Sequence, residues 1–178
     1  MWLDLDLLFR HPRRVAALAA RLTAALAPHH PDVVCGPLVG GTLVAQLVAG
    51  ALDVDLCWTE RSAAGGGPGL YGARYEVPAA QRPGLDGATV AVVDDAVNAG
   101  SAVRASVDAV EACGAEVVAV GALLVLGDAA PGWAAGRGLP LERVAARANA
   151  IWAPEACPRC AAGEPLERLA SAPTPAPP

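Results

Sequence analysis

Thr89-Val90-Ala91-Val92-Val93-Asp94-Asp95-Ala96-Val97-Asn98-Ala99-Gly100-Ser101, residues 89–101, passes from an apolar run through two acids into a small polar turn. A helical pattern begins at Ala102. After Thr89 the run is uniformly apolar, as in a strand buried on both faces. Gly100 and its small polar neighbours suit a turn that opens a helix. The segment predicts a strand over 89–93, an acidic tip at Asp94 and Asp95, and an anion-binding loop at a helix N-terminus. A ligand carrying both a hydroxylated sugar and a phosphate fits that arrangement.

The acids alone leave several readings open. Neighbouring side chains on an extended backbone point to opposite sides, so the two carboxylates can divide labour. They can accept from a sugar diol or stand near a magnesium ion. They can equally be a solvated turn with a capping acid, or the acid pair of a phosphoacceptor domain. The turn favours an anion ligand. Backbone amides at a helix start face outward, Gly100 permits close approach, and Asn98 and Ser101 can donate from their side chains.

Outward from this stretch, strands and helices alternate. Pro12 can open a helix on which Val15, Leu18, Ala19, Leu22 and Leu26 recur at helical spacing, and Pro28 ends it. Residues 32–35 read as a strand, followed by Gly36-Pro37-Leu38-Val39-Gly40-Gly41 and a helix over 42–52. A second strand covers 54–59. Residues 60–72 are glycine-rich, cannot pack a core, and predict a mobile loop. Residues 71–77 return to an extended pattern. A helix over 101–113 ends at Gly114, a suitable C-cap, and 116–126 is another core strand. Residues 133–148 show only weak structure, and Ile151-Trp152 reads as a last short strand. The pattern predicts an α/β fold with a mainly parallel central sheet flanked by helices and a small flexible hood. Residues 1–168 form one domain, and 169–178 are a disordered Pro-rich tail. In such sheets ligands bind at the carboxyl ends of the strands.

Composition excludes several functions. The 178-residue chain has a net charge of −5, and its 13 basic residues are all arginine. Without a basic excess or stripe, nucleic acid is not the expected partner. Without lysine there is no Schiff-base chemistry. No apolar run approaches the roughly 18 residues of a membrane span. The start, Met1-Trp2-Leu3-Asp4-Leu5-Asp6, is acidic where a secretory signal is basic. The expectation is a soluble cytoplasmic protein. Five scattered cysteines do not make a secreted disulfide framework. Cys35, Cys57 and Cys113 read as small buried hydrophobes. Cys157-Pro158-Arg159-Cys160 is half of a structural zinc site that a second chain could complete, a redox pair, or a plain reduced turn. His29-His30 reads as a helix end.

The strand, both acids, Gly100 and the helix after it resemble the ribose-5-phosphate signature of the type I phosphoribosyltransferases, with orotate phosphoribosyltransferase-like proteins the nearest group. Asn98 and Ala99 stand where the family often has threonine. The resemblance implies a type I phosphoribosyltransferase-like fold and transfer of the phosphoribosyl group of 5-phosphoribosyl 1-diphosphate to a nucleobase, releasing pyrophosphate. Asp94 and Asp95 would hold the ribose hydroxyls beside the reacting carbon. Val97, Asn98, Ala99, Gly100 and Ser101 would hold the 5-phosphate. Leu38, Val39, Gly40 and Gly41 would offer backbone donors to pyrophosphate, with Arg61 as a bidentate cation and Mg2+ as cofactor. A homodimer is implied as well.

Two departures bear on the acceptor. The flexible loop of orotate enzymes carries Lys and His, and residues 62–70 contain neither. Where those enzymes place an Arg for the orotate carboxylate, this chain reads Leu126-Gly127-Asp128-Ala129, and a carboxylate there repels an acidic base. A non-catalytic module of the same fold that binds the donor or a nucleotide is the alternative reading.

Overall fold

The computed structural model describes residues 5–62 and 74–165. Most of the expected hood and the whole Pro-rich tail lie outside them. The described elements are α1 (Asp6–Phe9), α2 (Pro12–Leu26), β1 (Val33–Pro37), α3 (Gly40–Leu52), β2 (Asp55–Arg61), β3 (Tyr75–Glu76), β4 (Thr89–Val97), α4 (Ser101–Glu111), β5 (Glu116–Leu126), α5 (Ala129–Gly136), β6 (Leu141–Arg147) and α6 (Pro158–Ala161).

Six strands form one sheet in the order β3-β2-β1-β4-β5-β6. Every neighbouring pair is parallel except β2 with β3. The chain winds outward from β1 to β2, returns to β4 on the other side of β1, and continues to β6. The winding therefore reverses between β1 and β4, and a crevice opens where their carboxyl ends diverge.

Alternation along the central strands divides the core in two. Val33 and Cys35 of β1 join Val90 and Val92 of β4 under Val103, Val107 and Val110 of α4. Val34, Ala91 and Val93 face the opposite side, against Val15, Leu22 and Leu26 of α2 and Val44 and Val48 of α3. The buried residues of α2 are Val15, Ala19, Leu22 and Leu26, one stripe of its surface. Each such valine or leucine contributes about 1.5–3 kcal/mol on burial, so the two layers hold the sheet as a rigid base for the loops above it.

Four expectations change. β4 runs to Val97, four residues past the predicted end, because β5 is long enough to pair with Asp94, Ala96 and Val97. The acids thus lie within a strand instead of on a loop tip. α3 starts at Gly40, so only Leu38 and Val39 separate it from β1. The weak region 133–148 contains half of α5 and all of β6. β6 is a largely exposed edge strand whose ladder with β5 compensates for its poor apolar pattern. Ile151 and Trp152 are exposed coil and form no strand. The His29-His30 step is a helix end as expected: a 3-10 turn closes at His29, and His30 takes a left-handed backbone.

Candidate functional site

The first side of the crevice is the turn from β1 into α3. The Leu38–Val39 peptide bond is cis. The Leu38 amide donates to the Thr59 carbonyl at 2.9 Å, which ties the turn to β2. The Thr42 hydroxyl donates to the Gly36 carbonyl at 3.0 Å and folds the helix start back over the strand end. Val39, Gly40 and Gly41 then open α3, where amides have no carbonyl one turn back to receive them. Glycine is required by contact here. A Cβ on Gly40 would lie 2.6 Å from Asp95 Oδ2, and one on Gly41 would lie 2.6 Å from Pro37 Cδ and 2.8 Å from Asp94 Oδ1. The helix start is therefore seated directly on the acid pair.

The two acids differ in setting. Asp94 is only 7% exposed, and its Oδ1 accepts the Asp95 amide at 2.9 Å. Burial pushes the Asp94 carboxyl well above the usual range, and neighbouring Asp95 adds to the shift. Asp95 is half-buried beside Gly40. Asp95 can meet a ligand's hydroxyls or a hard cation while Asp94 stays beneath. Among the described residues no group of three or more His, Cys, Asp or Glu side chains could hold a metal. A magnesium ion at this pair would draw its other oxygens from the ligand and water.

The second side is the turn from β4 into α4. A cavity of about 280 Å³ is lined by Asp94 and by residues of the turn, among them Asn98, Gly100 and Ser101. Val97 and Ala99, which also line it, are buried. Gly100 caps α4 with φ +80°, a conformation that favours glycine. Ser101 opens the helix, so outward amides and the helix dipole make the cavity suited to an anion. Neighbours hold this turn. Asn149 Nδ2 donates to Asn98 Oδ1 at 3.1 Å. Arg104 Nη2 donates to the Ala129 carbonyl at 3.0 Å and lies over the Trp133 ring at 5.2 Å, joining α4 to α5.

The other predicted residues are placed as follows. Arg61 ends β2, is exposed, and pairs in register with Tyr75. Tyr75 lies within electrostatic reach of Asp94 and Arg61: burial raises its phenol, Asp94 raises it further, and Arg61 lowers it. A separate groove of about 520 Å³, whose lining does not include Asp94 or Asp95, is lined by Arg74, Tyr75, Arg82 and Ala105 and Ala109 of α4. Asp128 is exposed at the start of α5. Cys157 and Cys160 sit at α6, apart from the crevice elements.

Four residues around the crevice have no sequence signal of their own. Tyr75 is identified only by its register opposite Arg61. Asn149 lies 51 positions from Asn98, which it holds. Thr59 and Ser106 share a buried 2.6 Å hydrogen bond that pins α4 to β2, although each reads as an ordinary small polar residue.

Residues 5–136 match the family model described as a phosphoribosyl transferase domain. The chain is 36% identical over 158 residues to the orotate phosphoribosyltransferase of Heliobacterium modesticaldum, covering 88% of this chain and 75% of that one. It is 31% identical over 165 residues to the Thermus thermophilus protein of the same name, covering 91% and 81%. Among solved structures, adenine phosphoribosyltransferase from Thermoanaerobacter pseudethanolicus superposes with a TM-score of 0.65 at 19% identity, covering 78% of this chain and 83% of that one. Orotate phosphoribosyltransferase from Aeropyrum pernix gives 0.65 at 22%, covering 82% and 78%. At those identities the structures bear on the fold alone.

Proposed function

The chain belongs to the phosphoribosyl transferase domain family, and from that membership we propose that it transfers the phosphoribosyl group of 5-phosphoribosyl 1-diphosphate to a nucleobase, releasing pyrophosphate. The observation that carries this reading is the meeting of two helix starts on one acid pair. Gly40 and Gly41 of α3 lie against Asp95 and Asp94, and the anion cavity before α4 shares Asp94. One crevice thus offers an anion site on either side of carboxylates that suit ribose hydroxyls. A sugar carrying phosphate at one end and pyrophosphate at the other fits that spacing of chemistries.

As the bond from the anomeric carbon to pyrophosphate breaks, positive charge grows on the sugar and the base nitrogen arrives. The protein positions the reactants and stabilises charge, and no covalent nucleophile is needed. Asp95 orients the ribose hydroxyls, and its negative charge favours the cationic ring. The turn over residues 97–101 anchors the 5-phosphate through backbone amides, with Ser101 adding a hydroxyl. The amides of Val39, Gly40 and Gly41 receive pyrophosphate, and Arg61 adds a fixed positive charge. Leu38 serves by its bond to Thr59, since its amide is already engaged. Mg2+ would be held by Asp95 and the donor's oxygens, where it supplies charge neutralisation for pyrophosphate. The protein is proposed to work in the cytoplasm as a homodimer.

Relatives named for orotate make orotate the first acceptor to test, yet Asp128 sets a carboxylate at the mouth of β5. Pyrophosphate release should be assayed with donor, Mg2+ and a panel of orotate, uracil, adenine and guanine, alongside calorimetric titration of the donor. Release with one base is the expected result. Donor binding without release from any base would replace the enzyme by a donor-binding module, and absence of donor binding would overturn both. If Asp128 is what disfavours an acidic base, Asp128→Arg should raise the rate on orotate about tenfold relative to a neutral base, a shift of about 1.4 kcal/mol. An unchanged ratio between the bases would remove Asp128 from the acceptor site.

A further inference from the structure

We propose that Cys157 and Cys160 are a thiol–disulfide exchange site that closes an intrachain disulfide at the expense of a low-molecular-weight disulfide. The pair lies beyond the residues 5–136 matched by the family domain, and nothing in the transfer reaction uses it. Position on the short α6 brings the sulfurs together. Cys157 is the N-cap, with φ −76° and ψ 115°, Pro158 is the first helical residue, and Cys160 is the third. Side chains at the N-cap and third helical position face one another across the opening turn, which is the geometry a capping box exploits. The Cys160 amide and thiol lie near enough to the Cys157 sulfur to lower its pKa, the amide more strongly. The Ala161 amide donates to the Cys157 carbonyl at 3.0 Å, and an Arg159–Glu164 ion pair of 3.1 Å braces the following turn.

Access separates this pair from the other cysteines. Cys35 and Cys57 also face each other, as register partners on β1 and β2, but they are 0% and 2% exposed inside the core under α4. Cys113 is half-buried after α4 and packs against that same core. Cys157 is half-buried and Cys160 is exposed, so a small disulfide in solution can reach both. Metal binding needs more than the pair provides. Zinc takes four ligands, and among the described residues no third His, Cys, Asp or Glu joins the two thiols. A disulfide needs only two sulfurs, and both are present in one chain.

The exchange balances as follows. A thiolate of the pair, its proton released to solvent, attacks one sulfur of the small disulfide. A protein–small-molecule mixed disulfide forms, and one small thiolate leaves and takes up a proton. The second cysteine then loses its proton and attacks the protein sulfur of that mixed disulfide. The intrachain S–S bond forms, and the second small thiol leaves protonated. The protein loses two electrons and two protons, and the small disulfide gains both.

The test uses the full chain equilibrated with defined ratios of reduced to oxidised glutathione. The samples are quenched in acid, alkylated with iodoacetamide under denaturing conditions, and mapped by mass spectrometry. The expected result is a single two-electron transition in which the peptide carrying 157–160 goes from doubly alkylated to unalkylated with loss of two hydrogens. Cys35 and Cys57 should stay fully alkylated at every ratio. Cys160→Ser should accumulate glutathione on Cys157 where the wild type closes the ring. The proposal is overturned if both thiols remain alkylatable throughout, or if each carries glutathione independently with no ring. Zinc that copurifies with the wild type, blocks both thiols, and is lost in Cys157→Ser would also overturn it, in favour of a metal shared between copies.

Discussion

Asp94 and Asp95 are adjacent in sequence but differ in burial, and the difference assigns their work. Asp95 is the acid open to a ligand, whereas Asp94 is roofed by Gly41 and bonded to the Asp95 amide. Asp95→Asn removes a charge without changing shape, so donor affinity in calorimetry should fall about tenfold or more, in keeping with loss of a charge-assisted hydrogen bond of about 1.5–3 kcal/mol. Wild-type affinity would reduce the acids to a structural role. Gly40→Ala tests the seat of the helix start. Its methyl would lie 2.6 Å from Asp95 Oδ2, so the carboxylate must turn away from the crevice. Donor binding should drop at least as far as in Asp95→Asn, with near-native thermal stability, because the clash is with a half-buried side chain end. At this scale the sequence was informative: the acids, glycines and small polar residues it singled out stand together in the fold. It was silent on Tyr75 and Asn149, whose roles come from register and a long-range hydrogen bond, neither of which leaves a local pattern.

At the scale of elements, the proposed phosphate site requires α4 to be held at a fixed height over the sheet. Its inner face carries Val103, Val107 and Val110, which sets orientation but allows sliding, since apolar contacts are not directional. The buried Thr59–Ser106 bond supplies a directional stop. Thr59→Val keeps the volume and strands the Ser106 hydroxyl, so denaturant unfolding should show a loss of about 1–3 kcal/mol. Thr59→Val with Ser106→Ala should recover part of it, because no buried hydroxyl then lacks its partner. A double variant less stable than the sum of the single effects would argue against a direct bond. The β4–β5 pairing also explains why strand ends were misread. A pattern of side chains ends at Val93, but a ladder continues for as long as a partner strand is available, here to Val97. β6 is the same case in stronger form: an edge strand has little burial to report in its sequence.

For the whole molecule, the crevice exists because the winding reverses between β1 and β4, leaving two helix starts on either side of one acid pair. Closing the site around Asp94 has a thermodynamic cost. Burial, with Asp95 second, holds the Asp94 carboxyl above its ordinary value of 3.8. The folded chain therefore keeps a proton there that the unfolded chain releases. Stability from this group is present at low pH and declines as pH rises above about 4 toward the folded value. Asp94→Asn cannot ionise and should lack that decline. Thermal unfolding without ligand should show the variant gaining on the wild type between pH 5 and pH 8, by roughly 2–4 °C for each kcal/mol recovered. A gap that is the same at both pH values would exclude an ionisation penalty at Asp94.

Read by itself, the chain determined the alternation of strands and helices, the parallel sheet, and the positions of the acid pair and of the two turns that open α3 and α4. Those features depend on local periodicity, on turn chemistry and on the order of residues within a dozen positions. Tertiary structure alone decided which acid is buried, that the Leu38 amide is already engaged by β2, and that Asn149 holds Asn98. Each of these depends on which strands become neighbours and in what register. Burial and long-range hydrogen bonds are properties of that pairing, so no stretch of sequence carries them until the sheet has formed.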